Sequence, residues 1–157
     1  MTTVFVLNAG SSSIKYTVLD EITVVADGII ERIGVPGSGV PDHATALATV
    51  LDEIGGTAID AVGHRIVHGG ERFTAATVID DAVEVAIDEL SELAPLHNPA
   101  GLAGIRAARA ALPDVPHVAV FDTAFHATIP VEAATYAIDA ELAARTSSTS
   151  APEPESP

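Results

Sequence analysis

Cysteine is absent from the 157 residues, which excludes disulfides and thiolate zinc sites. Basic residues are scarce. Seven Lys and Arg against 22 Asp and Glu give a formal net charge of −15, so nucleic acid and anionic membrane are not expected as general partners. Any anion site must then be built locally, from a few cations and backbone N–H groups. Long hydrophobic runs are also missing. The opening stretch MTTVFVLNAG has no basic region and only a short apolar run, Val4 to Leu7, too short for a signal peptide or a membrane span. The expected location is the cytoplasm. Aromatic residues are few, four Phe and two Tyr, so the core must rely on small residues, chiefly 28 alanines, which also favour helix. The length suits one ordinary domain or a fragment of something larger.

VFVLN (4–8) reads as a buried strand. Gly10 to Ser13 supply a turn, and IKYTVLD (14–20) resumes β-branched and aromatic residues. EITVVADGIIERIG (21–34) predicts a further strand or hairpin, and VPGSGVPD (35–42) a loop. Asp42 can cap a helix on which Leu47, Val50, Leu51 and Ile54 share a stripe. Gly55 and Gly56 close it, and AVGHRIVHGG (61–70) reads as a strand ending in a flexible turn. A helix is expected over 81–94, with Val83, Ile87, Leu90 and Leu93 on one stripe. LHNP (96–99) reads as a loop, an Ala-rich helix as covering about 100–111, and HVAVFDT (117–123) as a buried strand. Residues 144–157, ARTSSTSAPEPESP, lack apolar periodicity and are expected to be disordered. Strands followed by alternating helices and strands indicate an α/β domain.

Four stretches could carry chemistry. GSSSIK misses the P-loop pattern G-x-x-x-x-G-K-[ST], and a strand rather than a helix follows it. It is either an ordinary hairpin or a tip whose Ser11, Ser12 and Ser13 meet phosphate oxygens, with Lys15 as a point charge. In GHRIVHGG, strand alternation places Arg65 and Val67 on one face and His64, Ile66 and His68 on the other. The pair suits a small amphiphile with an anionic head and a short apolar tail, arginine offering a fork to carboxylate or phosphate; a surface arginine is the plain alternative. H-x-x-x-H suggests a metal, but the glutamate of H-E-x-x-H is missing and the segment reads as strand. His97 sits in a proline-bounded loop, where it is either a ligand contact or a surface residue. Asp122 stands where a strand leaves its sheet, the edge at which ligands gather in open α/β folds, or else caps a turn.

Together and in this order, VLNAGSSSIKY, GHRIVHGGERF, LAPLHNPAG and VFDTAFHATIP resemble the N-terminal half of the acetate kinases, with propionate kinases the nearest relatives. The resemblance runs from about residue 3 to about residue 140, and the stretch between Asp20 and Gly63 looks shorter than is usual in that family. It implies the fold of actin, the Hsp70 ATPase and sugar kinases: a ribonuclease-H-like α/β domain, a mixed sheet with flanking helices, here over residues 1–143. The second, C-terminal domain of the family is expected to be absent, with the tail at 144–157 in its place.

The activity implied is reversible transfer of the ATP γ-phosphoryl group to acetate, giving acetyl phosphate and ADP, with Mg2+ or Mn2+. By motif, Asn8 resembles the residue of the magnesium site, and Ser11, Ser13 and Lys15 those of the phosphate hairpin. Arg65 resembles the substrate arginine, Val67 and Leu96 the methyl pocket, His97 a phosphoryl contact and Asp122 the active-site acid. The complete enzyme is expected to be a homodimer. Two other readings stand beside acetate kinase: a propionate kinase, and a non-catalytic remnant that binds phosphate or a partner chain.

Overall fold

The computed structural model describes residues 2–125 and 128–130. The chain divides into two units, Met1–Ala127 and Thr128–Pro157. Only residues 128–130 of the second are described, so the expected boundary at 143 and the expected disordered tail lie outside the described residues. The first unit is a six-stranded sheet with helices on one face. Its strands are β1 (Thr3–Ala9), β2 (Ser13–Asp20), β3 (Thr23–Glu31), β4 (Ala61–Ile66), β5 (Thr77–Val78) and β6 (His117–Phe121), in the order β3-β2-β1-β4-β6-β5. β1, β2 and β3 form an antiparallel meander. β1, β4 and β6 run parallel, and β5 pairs antiparallel on the edge. This is the mixed α/β sheet expected of an actin-like ATPase domain.

The helices are α1 (His43–Glu53), α2 (Asp81–Glu89), α3 (Asn98–Ala111) and the short α4 (Asp122–Phe125). α1 starts where Asp42 accepts a hydrogen bond from the Thr45 N–H at 2.7 Å, the cap expected from sequence. Leu47 and Val50 of α1 pack on Phe5, Leu7, Tyr16 and Val18. Ile87 of α2 and Leu102 and Ile105 of α3 pack on Ile66, Ala119 and Phe121. α3 comes especially close to the sheet because two glycines face it. A Cβ at Gly104 would lie 2.6 Å from the Ala9 Cβ, and one at Gly101 2.9 Å from the Ile66 side chain.

Two expectations need correction. The helix expected over 81–94 ends at Glu89 and continues as a 3₁₀ turn, Leu90–Glu92. Three residues per turn swing the stripe out of line, so Leu93 is exposed (57%) rather than packed. The expected loop 96–99 is shorter, because Asn98 and Pro99 already form the first turn of α3, where proline costs nothing. β5 was not legible at all in the sequence. The alternate side chains of β1, β4 and β6 lie on the opposite sheet face, mostly half-buried. Val4, Val6, Ala61, Val118 and Val120 line an apolar groove of about 480 Å³ there. Parallel strands are ordinarily covered on both faces, but no described helix covers this one. Among the described residues, no helix is long and apolar enough to cross a membrane.

Candidate functional site

The parallel register assembles the site. Leu7 pairs with His64 and Arg65 with Val120, so Asn8 comes level with Arg65. Asp122, the first residue of α4, lies just past the end of β6. All three therefore meet where parallel strands end, as the topology of open α/β sheets favours. The Arg65 guanidinium grips Asp122 with a fork, Nε donating to Oδ1 at 3.0 Å and Nη2 to Oδ2 at 2.6 Å, while Nη1 donates to Asn8 Oδ1 at 3.2 Å. The hydrogen bond to Asp122 raises the Arg65 pKa against the opposing effect of burial, so the side chain stays charged. Arginine has five N–H donors; three are used here, which leaves two for a ligand.

Beside this cluster the β1–β2 hairpin projects its tip. Gly10 N–H donates to Ser13 O at 2.7 Å and Ile33 N–H to Ser12 O at 3.0 Å. From α1, His43 Nε2 donates to Gly10 O at 2.7 Å. The tip is thus braced from two sides, while Ser11 and Ser12 are exposed. A cavity of about 450 Å³ is lined by the tip (Asn8 to Ser13), by Arg65, Ile66 and Val67, and by Leu96, His97 and Gly101. It brings together Asn8, Ser11, Ser13, Arg65, Val67, Leu96 and His97. Asp122 joins through Arg65. Lys15 does not line the cavity; it sits exposed on β2, across from Asn8. Leu96 lines the cavity yet is 79% exposed, so the apolar wall is open on that side.

Several contributors escaped the sequence. His43 showed no signal beyond its helix. Asn98 and Thr123 hold the loop after β4: Asn98 Oδ1 accepts from His68 N–H, and Thr123 Oγ1 accepts from Gly69 N–H. That loop is packed rather than free. A Cβ at Gly69 would lie 2.9 Å from both Phe121 and the Phe73 carbonyl, so glycine is needed for close approach. His64 is no metal ligand either. It is buried on the helix-covered face, stacked on His117 with ring centroids 5.3 Å apart. His117 Nε2 must donate to Leu112 O at 3.0 Å, so its Nδ1 accepts from His64 Nε2 at 3.0 Å.

Burial first, and then the charge of His117, pushes the His64 pKa down to about 3; burial also lowers that of His117. The unfolded chain, with histidine near about 6.5, binds more protons between those values, so stability is full above that range and falls with pH inside it. At pH 5 rather than 7.5, His64 alone is expected to cost about 2 kcal/mol. Relief of repulsion among the carboxylates opposes this, so urea midpoints should be compared in salt that screens the surface charge. A midpoint that holds steady or rises between pH 7.5 and 5 would show that the imidazoles are not kept neutral.

Residues 3–147 match the Acetokinase family. The chain is 54% identical over 148 residues to the acetate kinase of Micrococcus luteus, covering 86% of this chain and 38% of that protein. It is 49% identical over 168 aligned positions to the acetate kinase of Clavibacter michiganensis subsp. michiganensis, covering 92% and 42%. The crystal structure of Porphyromonas gingivalis acetate kinase superposes with a TM-score of 0.83 at 36% identity, over 94% of this chain and 44% of that one. A propionate kinase from Francisella tularensis superposes at 0.80 with 33% identity, over the same shares. The chain spans about two fifths of the length of the curated relatives it matches.

Proposed function

The chain belongs to the acetokinase family, and on that premise we propose that its site serves phosphoryl transfer between ATP and acetate, supplying one side of the reaction centre. The observation that carries this reading is the Arg65 fork on Asp122, with Asn8 on the third guanidinium nitrogen, beside a braced serine hairpin. In the reaction an acetate oxygen forms a bond to the γ-phosphorus while the bond to the β,γ-bridging oxygen breaks, leaving ADP. Such transfer needs little covalent help; it needs alignment and donors on the equatorial oxygens. The two unused N–H groups of Arg65 suit the acetate carboxylate and the transferring phosphoryl group. Val67 and Leu96 flank the methyl group, His97 adds a donor, and Ser11 and Ser13 take phosphate oxygens. Lys15 acts from outside the cavity, as a point charge on an approaching polyphosphate.

The family implies a divalent cation, and the donors present fit one brought in by phosphate. Asn8 and Asp122 offer hard oxygen atoms of the kind magnesium takes, but no group of three or more carboxylates and imidazoles converges among the described residues. Asn8 and Asp122 would hold the cation's waters, and bound there it would neutralise charge on the phosphoryl oxygens. Asp122 is not needed as a base, because acetate is already ionised at pH 7. Its two bonds to Arg65 give it the work of aiming the guanidinium.

The open side of the Leu96 wall also leaves room for propionate. One methylene is worth only about 1–3 kcal/mol in such pockets, so kinetics with both acids are needed to rank them. The reading is tested by grafting residues 1–147 in place of the matching segment of the Micrococcus luteus acetate kinase. The graft should form acetyl phosphate, trapped as hydroxamate, from ATP and acetate. Asp122→Asn in the graft should raise the magnesium requirement and weaken acetate binding without reshaping the pH profile. A folded graft inactive on both acids would overturn the function, and a shifted pH profile with unchanged magnesium response would overturn the role of Asp122.

A further inference from the structure

The four residues proposed to line the substrate wall come from two separate segments. Val67 follows β4, together with Arg65 on the strand, whereas Leu96 and His97 precede α3. One side chain joins those segments. Asn98 is fully buried, directly after His97. Its Oδ1 accepts from His68 N–H at 3.1 Å, and its Nδ2 donates to His68 O at 2.9 Å and to Leu90 O at 3.4 Å. Both amide hydrogens and the oxygen are therefore used. His68 directly follows Val67, so this amide holds both peptide groups of His68 against the entrance of α3. On the far side of the same loop, Gly69 N–H donates to Thr123 Oγ1 at 2.9 Å, one residue from Asp122. α3 itself is seated against Ile66 through Gly101.

We infer that Asn98 is a positioning residue, which fixes the separation of Val67 from Leu96 and His97 and so the width of the substrate wall. The inference rests on the proposed function for what the wall binds, and on the hydrogen bonds alone for what Asn98 holds. An apolar side chain of the same size would fill the space but leave the His68 N–H and carbonyl unpaired, and the loop could then settle elsewhere. The geometry explains why a polar group is buried at this position when leucine or alanine would serve packing alone.

The test uses the 157-residue chain, labelled with 15N and titrated with acetyl phosphate while amide shifts are followed. In the wild type, shifts are expected at Ser11 to Ser13, Arg65 and Val67. Asn98→Leu should weaken binding by about tenfold or more. Before any ligand is added, it should also move the Val67, His68 and His97 amides together and speed hydrogen exchange at His68. Should that variant fail to fold, Asn98→Ser, a smaller neutral polar side chain that cannot reach both His68 groups at once, should give smaller changes of the same kind. A merely structural role predicts lower thermal stability with unchanged affinity in the folded fraction; that result, or a His68 amide unmoved in shift and exchange, overturns the inference. Absence of any response in the wild type would instead overturn the phosphoryl-transfer reading, while the ligand-free shifts of the variants still decide the role of Asn98.

Discussion

Arg65→Ala in the Micrococcus luteus graft is expected to cut kcat/KM for acetate by a factor of about 100 to 1,000 or more, the usual loss for one charge-assisted contact made in the transition state, about 2.7–4 kcal/mol. The same substitution should scarcely touch stability. Arg65 and Asp122 are 48% and 39% exposed, and ion pairs so open to water contribute about 0–1 kcal/mol. The two effects therefore separate: activity collapses while the melting temperature stays within a few degrees of the parent. The structure adds a reason why lysine cannot substitute. The guanidinium binds both oxygens of Asp122 and the amide of Asn8 at once, and still has donors to spare; an ammonium on a flexible stem has three hydrogens and no fork. Arg65→Lys should thus recover little of the lost rate. Near-normal acetate kinetics in either variant would remove Arg65 from the site, and a large fall in stability would mean that the fork is mainly structural.

How far the sequence revealed this arrangement depends on the range over which each signal acts. Asp42 as a cap, the Leu47 and Val50 stripe and the VFVLN strand follow from neighbours within one turn or one strand, and the structure has them. The helix over 81–94 failed at its end because the tightening after Glu89 has no local marker. β5 escaped because two residues, Thr77 and Val78, make a strand only by pairing with Ala119 and Val118 some forty residues later. Asn8, Ser11, Ser13, Arg65, Val67, Leu96 and His97 were singled out by motif resemblance, and the fold brings them around one cavity. Lys15 stood beside the serines in sequence, yet it lies outside that cavity. The supporting groups carried no local signal: His43 reaches Gly10 across 33 residues and Asn98 reaches His68 across 30. Spacing shows which side chains share a strand face, but not which distant amide braces a loop.

The 157 residues by themselves are expected to form acetyl phosphate at less than about one hundredth of the rate of a full-length relative, a gap of at least about 2.7 kcal/mol in transition-state stabilisation. Transfer of a phosphoryl group requires donors around the attacking, transferred and leaving oxygens together. Among the described residues the cavity is lined by one permanently charged side chain, Arg65, and three of its five donors already serve Asp122 and Asn8. Lys15 stands outside, and the chain as a whole carries −15, which repels a polyphosphate rather than gathering it. The groove along Val4, Val6, Val118 and Val120 is no substitute, because the surface its described residues present is apolar. The assay is ATP-dependent formation of acetyl hydroxamate by the purified chain, its mass confirmed, beside the Micrococcus luteus enzyme at equal active-site concentration. Turnover within a hundredfold of that enzyme would defeat the expectation. If the rate also rose with the square of chain concentration, two copies would be completing each other's site, each supplying donors that the other lacks.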